Sequence, residues 1–320
     1  MALVAPSGTN KIWLGITCSI GAGALWGLVF LAPELMRAFT PLQIVIGRYL
    51  AYGAISAILL APRWRTLIAT LTRREWLSLF WLSPAGNILY YLLLSTAVQT
   101  GGIAMTSLVI GFLPVAVTII GSRDSSAVPL RRLAPSLSCC MAGAVCIGWQ
   151  ALAMPALGES ASQLTGLLCA IGALAAWTIY AVGNSRCLAR LGHVSAHDWN
   201  LLTGIVTGVQ AAILVPVTAL IEPIRHTSIA WLHFAGVVIG VAILASIVGN
   251  GLWNRMSRLL PLTMVGQMIL FETLFALIYG FLWEQRLPRP LETMAFALVT
   301  VSVLSCIAAH HRQGLIARTE

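Results

Sequence analysis

Charge is what this chain has least of. Only 9% of its 320 residues are Asp, Glu, Lys or Arg, against roughly a quarter in soluble domains. With 58% hydrophobic residues, a water-soluble fold of this length would leave far too much apolar surface exposed. Long polar stretches are missing too. The longest inter-span segments, about 62–75, 122–133, 152–162 and 184–198, cannot hold a soluble domain. No G-x-x-x-x-G-K-[ST] run is present, which argues against direct ATP use. No H-E-x-x-H or G-x-S-x-G occurs, so a metalloprotease or serine hydrolase is not supported and the chain is not read as an enzyme.

Metal-ligand spacing is also lacking. The seven cysteines, Cys18, Cys139, Cys140, Cys146, Cys169, Cys187 and Cys306, lie in or beside apolar runs and read as small packing residues. The histidines, His193, His197, His226, His233, His310 and His311, read as loop or span-edge residues, with His310 and His311 in a solvated tail. No metal and no cofactor is expected. Net charge is +9, but the basic residues sit in short loops and form no stripe, so nucleic acid is not an expected partner. The first apolar run is too long for the core of a cleaved signal peptide, and only Lys11 precedes it as a basic residue.

What the chain does have is apolar runs of membrane-spanning length, about 20 residues each. They fall near 12–31, 42–61, 76–96, 102–121, 134–151, 163–183, 199–220, 230–251, 263–282 and 291–309. The expected fold is an all-α integral membrane protein with ten transmembrane helices, and its partner is the lipid bilayer. With the N-terminus cytoplasmic, the inner segments hold Lys11, Arg63, Arg65, Arg73, Arg74, Arg123, Arg131, Arg132, Arg186, Arg190, Arg255, Arg258, Arg312 and Arg318. The outer loops hold Arg37, Arg225, Arg286 and Arg289, and Arg48 lies inside a span. That bias predicts a multi-pass protein of the cell inner (plasma) membrane with both termini cytoplasmic.

The chain also repeats itself. Gly86-Asn87-Ile88-Leu89-Tyr90-Tyr91 returns as Gly249-Asn250-Gly251-Leu252-Trp253-Asn254, and the pair Gly21 and Trp26 returns as Gly172 and Trp177. Five spans per copy is odd, so the second copy is inverted in the bilayer. Residues 1–154 form the first five-helix repeat and 155–320 the second. Inverted repeats of this kind build many secondary transporters, with the substrate site between the copies near the midplane.

Leu113-Pro114 in span four, the related Glu272-Thr273 in span nine and a Trp in spans one and six carry a resemblance. So does Phe281-Leu282-Trp283-Glu284-Gln285-Arg286-Leu287 before the last span. The chain resembles the EamA-type family of the drug/metabolite transporter (DMT) superfamily. Trp283 stands where that family usually has Gly, and Ser125 stands where the first half would carry the matching Glu. Trp177-Thr178-Ile179-Tyr180 and Trp253-Asn254 look most like the YddG-type exporters of aromatic amino acids. The resemblance implies export of a small amphipathic metabolite, most sharply an amino acid with an aromatic or other apolar side chain, by alternating access. A broad drug or metabolite exporter is the alternative within the family. A membrane channel or scaffold is the alternative from another class.

Helical spacing sorts the candidate residues, since positions three, four and seven apart share a face. Asn87, Tyr90 and Tyr91 share one face of span three; Trp177, Tyr180 and Asn184 share one of span six. Asn250, Trp253 and Asn254 align in span eight, Ser19, Gly23, Trp26 and Phe30 in span one, and Thr263, Gln267 and Phe271 in span nine. The expected substrate contacts are Trp26, Asn87, Tyr90, Tyr91, Trp177, Tyr180, Trp253, Asn254 and Gln267. Trp253 reads equally as a residue of the interfacial belt, and Asn87 and Asn250 as helix-to-helix hydrogen-bonding groups. Such a cavity needs only one chain, so a monomer suffices.

Arg48 and Glu272 lie within spans, where a charge costs about 2.5–3.5 kcal/mol on insertion scales. They read as a structural ion pair or, for Glu272 alone, as a carboxyl kept neutral by burial or as a proton carrier. The step of five positions from Gln267 to Glu272 turns a helix by about 140°. If Gln267 faces the cavity, Glu272 is expected to face a neighbouring helix.

Overall fold

The computed structural model describes residues 8–123, 129–152, 160–221, 226–283, 285 and 287–316. All regular structure among them is helical. That is what a bilayer demands, since every backbone polar group there must be satisfied within its own segment. The helices are α1 (Gly8–Gly27), α2 (Pro41–Leu60), α3 (Arg73–Ser83), α4 (Leu89–Ile110), α5 (Leu113–Gly121), α6 (Leu130–Leu152) and α7 (Ser160–Arg190). They continue as α8 (Ala196–Ile221), α9 (Ser228–Val241), α10 (Asn250–Leu259), α11 (Leu262–Met268), α12 (Leu270–Trp283) and α13 (Pro290–Ile316). Short helical turns at Leu28–Phe30, Ala32–Leu35, Ala61–Arg63 and Trp64–Thr70 extend or follow the first two.

Local chemistry sets several starts. The Thr40 hydroxyl accepts from the Gln43 amide, and the Gln43 side chain accepts from the Thr40 amide, with Pro41 at the first helical position of α2. Thr72 and Glu75 form the same box at α3. Thr227 caps α9, and the Ser195 hydroxyl accepts from the Asp198 amide at the start of α8.

Eight helical stretches among the described residues are long and apolar enough to cross a membrane: Lys11–Leu35, Pro41–Thr70, Arg73–Gly102, Ser162–Arg190, Ala196–Thr218, Ser228–Leu259, Leu262–Trp283 and Pro290–His310. The expected fourth and fifth spans are not among them. Span four begins at Gly102, whose φ of 82° kinks α4, and is broken again between α4 and α5. The fifth is helical as α6, but it starts with Arg131 and Arg132 and carries Pro135. The linker residues 153–159, the expected boundary at 154–155, Ser125, Glu284 and Arg286 lie outside the described residues.

Helices of the first half pack chiefly on helices of the second: α2 on α8, α4 on α7, α6 on α13, α5 on α11, and α1 on both α10 and α12. Gly53 and Gly208 meet where α2 crosses α8. A Cβ built on either falls 2.7 Å from the other's Cα, so only glycine permits that approach. The outward faces are apolar, with Ile58, Trp81, Ile213 and Leu232 all exposed, as lipid contact requires.

The helix ends sort into two groups. Arg63 pairs with Asp198 at 3.0 Å, and His193 lies 3.4 Å from Glu75. Arg258 donates to the carbonyls of Leu191 and Val194 at the same end. Elsewhere Phe39 stacks on His226 and Trp231, Gln99 donates to the Phe39 carbonyl, and Ser162 donates to the Thr100 carbonyl. Each group joins only segments that the charge bias puts on one side. One reading is corrected: His310 is no solvated tail residue. Because α13 runs on to Ile316, His310 is buried, with Nε2 3.0 Å from Thr263 Oγ1 and Nδ1 2.9 Å from the Cys306 carbonyl.

Candidate functional site: an aromatic chamber between the two halves

Two interrupted helices frame the site. Between α3 and α4, residues Pro84–Ile88 form a π-helical stretch, in which the Leu89 amide donates to the Pro84 carbonyl five residues back. Between α9 and α10, Ala242–Gly249 does the same, and the Asn250 amide reaches the Ala245 carbonyl. Such insertions are frequent at functional sites. Each one here contains or adjoins one of the two Gly-Asn motifs. Side chains engage the carbonyls of the second stretch. Trp26 Nε1 donates to the Ala245 carbonyl, and Asn200 Nδ2 to the carbonyls of Ser246 and Ile247. The Tyr52 hydroxyl in turn donates to Asn200.

The glycines of both motifs make room for rings. A Cβ on Gly86 would lie 2.2 Å from Cγ of Tyr180, and one on Gly249 would lie 2.9 Å from Nε1 of Trp26. Tyr180 comes from α7 and Trp26 from α1, so each half lends an aromatic ring to a glycine of the other.

Three tryptophans meet at the centre. Trp26 and Trp177 pack edge to face with centroids 5.8 Å apart; Trp253 lies 5.1 Å from Trp26 and 5.2 Å from Trp177. Tyr90 and Tyr180 flank Trp177 at 6.2 and 6.0 Å. Offset and edge-on ring pairs of this kind contribute about 0.5–1.5 kcal/mol each beyond area burial. Trp26 Nε1 also donates to Asn250 Oδ1 at 3.1 Å, and Asn87 Nδ2 to Thr207 Oγ1 at 3.3 Å.

Beside this cluster lies a cavity of about 30 Å³, lined by Trp26, Val29, Arg48, Tyr49, Gly86, Asn87, Tyr90, Trp177, Tyr180, Asn250 and Glu272. It is of water size. Small-molecule sites enclose about 300–1,000 Å³, so the cavity as it stands holds no such solute. A larger cavity of about 590 Å³ opens at the arginine-bearing end, where His197, Leu252, Arg255 and Arg258 line it.

Of the expected contacts, Trp26, Asn87, Tyr90, Trp177 and Tyr180 line the small cavity. Trp253 is 1% exposed and stacked on two of its tryptophans. It is no belt residue, because α10 continues to Leu259, well past the span end expected at 251. Tyr91 lies under Arg48, whose guanidinium carbon is 4.4 Å from its ring centroid. Asn254 is turned away from the cavity. Its Oδ1 accepts from Asn184 Nδ2, and Asn184 Oδ1 accepts from Trp199 Nε1.

Gln267 is a correction. It is fully buried in another polar knot, where Oε1 accepts from Ser136 and Ser302 and Nε2 donates to Thr118. Glu272 takes the cavity position instead. The two side chains still point to different sides, as a separation of about 140° requires; what fails is the premise that Gln267 is the one facing the cavity. The direct Arg48–Glu272 pair is also corrected: among the described residues no ion pair within 4 Å joins them. Arg48 Nε and one Nη reach Ser246 Oγ at 3.2 Å.

Sequence reasoning missed Tyr49, Val29 and Gly86 as lining residues. Val29 was legible, three residues from Trp26 on the same face. Tyr49 had no polar periodicity to betray it, and Gly86 stood out only as the first residue of the repeated motif.

Comparison with known proteins follows the same lines. The sequence model of the EamA-like transporter family matches residues 13–148 and again 164–307. The inner membrane protein YtfF of Escherichia coli (strain K12) is 30% identical over 313 residues, spanning 94% of this chain and 97% of that protein. A solved crystal structure superposes with a TM-score of 0.68 at 17% identity, over 92% of this chain and 98% of the other, a likeness of fold.

Proposed function

We propose, from the premise that this chain belongs to the EamA-like transporter family, that it is a secondary transporter of small amphipathic metabolites. Amino acids with aromatic or other apolar side chains are the sharpest version. The observation that carries this is the cluster of Trp26, Trp177 and Trp253, contributed by both halves beside a cavity with polar groups on its wall. Ring faces suit an apolar side chain, and Asn87 and Asn250 offer hydrogen bonds to a polar end. The closed volume supports alternating access: the halves rock apart to admit solute from one side, close, and part on the other.

In this reading the chain has ten spans, with 102–121 and 130–152 crossing beside the eight longer stretches, as two inverted five-helix repeats. The two family matches, one per half, and the paired π-helical Gly-Asn motifs support the duplication. The sorted helix ends support the alternation, and the basic end is assigned to the cytoplasm. The name of YtfF supports an inner-membrane location. One chain builds the whole chamber, so the working unit is a monomer.

The test is uptake of radiolabelled aromatic, aliphatic and charged amino acids into proteoliposomes of the purified protein, with and without an imposed pH gradient. Saturable uptake of the aromatic set is expected. Absence of amino-acid uptake by folded protein refutes the amino-acid version.

A further inference from the structure

The chamber holds one acidic and one basic side chain, and among the described residues neither has an ion-pair partner. Arg48 on α2 is 6% exposed and Glu272 on α12 is 7% exposed, and both line the small cavity. Ser246 takes Nε and one Nη of Arg48, while the rings of Tyr91 and Tyr49 lie 4.4 and 5.2 Å from its guanidinium carbon. The other Nη carries no hydrogen bond among the described residues. The Glu272 carboxyl has neither a hydrogen bond nor an ion pair there. Buried ionic groups need partners, and the cavity has room for little more than a bridging water.

We infer that Arg48 and Glu272 are the two poles of a zwitterion site: Arg48 receives the substrate carboxylate and Glu272 its α-ammonium. The tryptophan cluster takes the side chain. This rests on the transport reading above and sharpens it to α-amino acids. A planar guanidinium already fixed by Ser246 presents its free edge to a carboxylate, a fork geometry that lysine does not reproduce. The pair also sets selectivity by exclusion. An organic acid leaves Glu272 unmatched, and an amine leaves Arg48 unmatched.

Phenylalanine, phenethylamine and 3-phenylpropionate share a ring and differ only in these two groups. None absorbs like indole, so each can be titrated against the protein's tryptophan fluorescence. Wild type is expected to bind phenylalanine at least about tenfold tighter than either analogue, a difference of about 1.4 kcal/mol. In Glu272→Gln, which keeps the shape, 3-phenylpropionate is expected to match or exceed phenylalanine. In Arg48→Gln, phenethylamine is. Arg48→Lys, which keeps the charge, tests the fork should Arg48→Gln fail to fold.

Equal binding of all three by wild type, or a uniform change across all three in Glu272→Gln, overturns the proposal. So does retained ligand order in Glu272→Gln with loss only of a response to the pH gradient, which makes Glu272 a proton carrier. Saturable phenylalanine uptake without discrimination sinks the clamp and leaves the transport reading standing. Loss of uptake altogether sinks both.

Discussion

Trp177 is the residue on which the chamber turns, since its ring touches Trp26, Trp253, Tyr90 and Tyr180. Truncation to alanine would open a hole among four rings, at a cost of about 3–5 kcal/mol, and would confuse folding with transport. Trp177→Phe keeps much of the bulk. It is expected to lower uptake about tenfold, or about 1.4 kcal/mol, with an unchanged yield of monodisperse protein; normal uptake removes Trp177 from the site. Gln267 behaves oppositely. Gln267→Leu removes the amide's bonds to Ser136, Ser302 and Thr118, whose hydroxyls keep backbone carbonyls as partners, and is expected to lower stability by about 0.5–1.5 kcal/mol while leaving KM as it was. Thermal unfolding read beside uptake kinetics separates the two residues.

At the scale of elements, the two π-helical stretches shape the chamber more than any long helix does. A turn with one extra residue rotates everything after it and frees carbonyls for side chains such as Trp26 and Asn200. Each is stabilised by a glycine that lets a ring sit against the backbone. Gly86→Ala drives a methyl to 2.2 Å from the Tyr180 ring, and overpacking of this kind costs about 1–3 kcal/mol. Gly249→Ala meets Trp26 at 2.9 Å and is expected to be milder. The expected order of uptake is wild type, then Gly249→Ala, then Gly86→Ala; the reverse order refutes the assignment. Thr40→Ala serves as a control at a distance. It removes the capping box of α2 and is expected to lower stability by about 1 kcal/mol without changing uptake.

At the scale of the whole molecule, the prediction concerns which end faces the cytoplasm. Arg37 and Arg65 are both exposed and belong to opposite groups of helix ends. In a background without the native cysteines, a membrane-impermeant maleimide added to intact cells is expected to label Arg37→Cys and to spare Arg65→Cys until the membrane is opened. Labelling of Arg65→Cys in intact cells reverses the orientation. The packing of first-half helices on second-half helices also means that neither half is expected to fold alone, because each buries its inner face on the other.

The class of the protein was legible in the sequence because the bilayer reads composition residue by residue. Apolar length marks the spans, and a repeated Gly-Asn motif stands out without any knowledge of packing. Trp26, Tyr90, Trp177 and Tyr180 were found because an unbroken helix keeps its phase over one or two turns. The identity of the remaining wall belonged to the tertiary structure. Periodicity puts Gln267 and Glu272 on different faces, but only packing decides that Glu272's face meets the cavity and Gln267's meets Ser136, Ser302 and Thr118. Trp253 joins the cluster because α10 continues past its expected end. Arg48 rests on Ser246 and Tyr91, not on Glu272, because those partners come from distant segments that only packing brings together. Periodicity carries phase along one helix; it does not carry it across a π-helical turn or from one helix to the next.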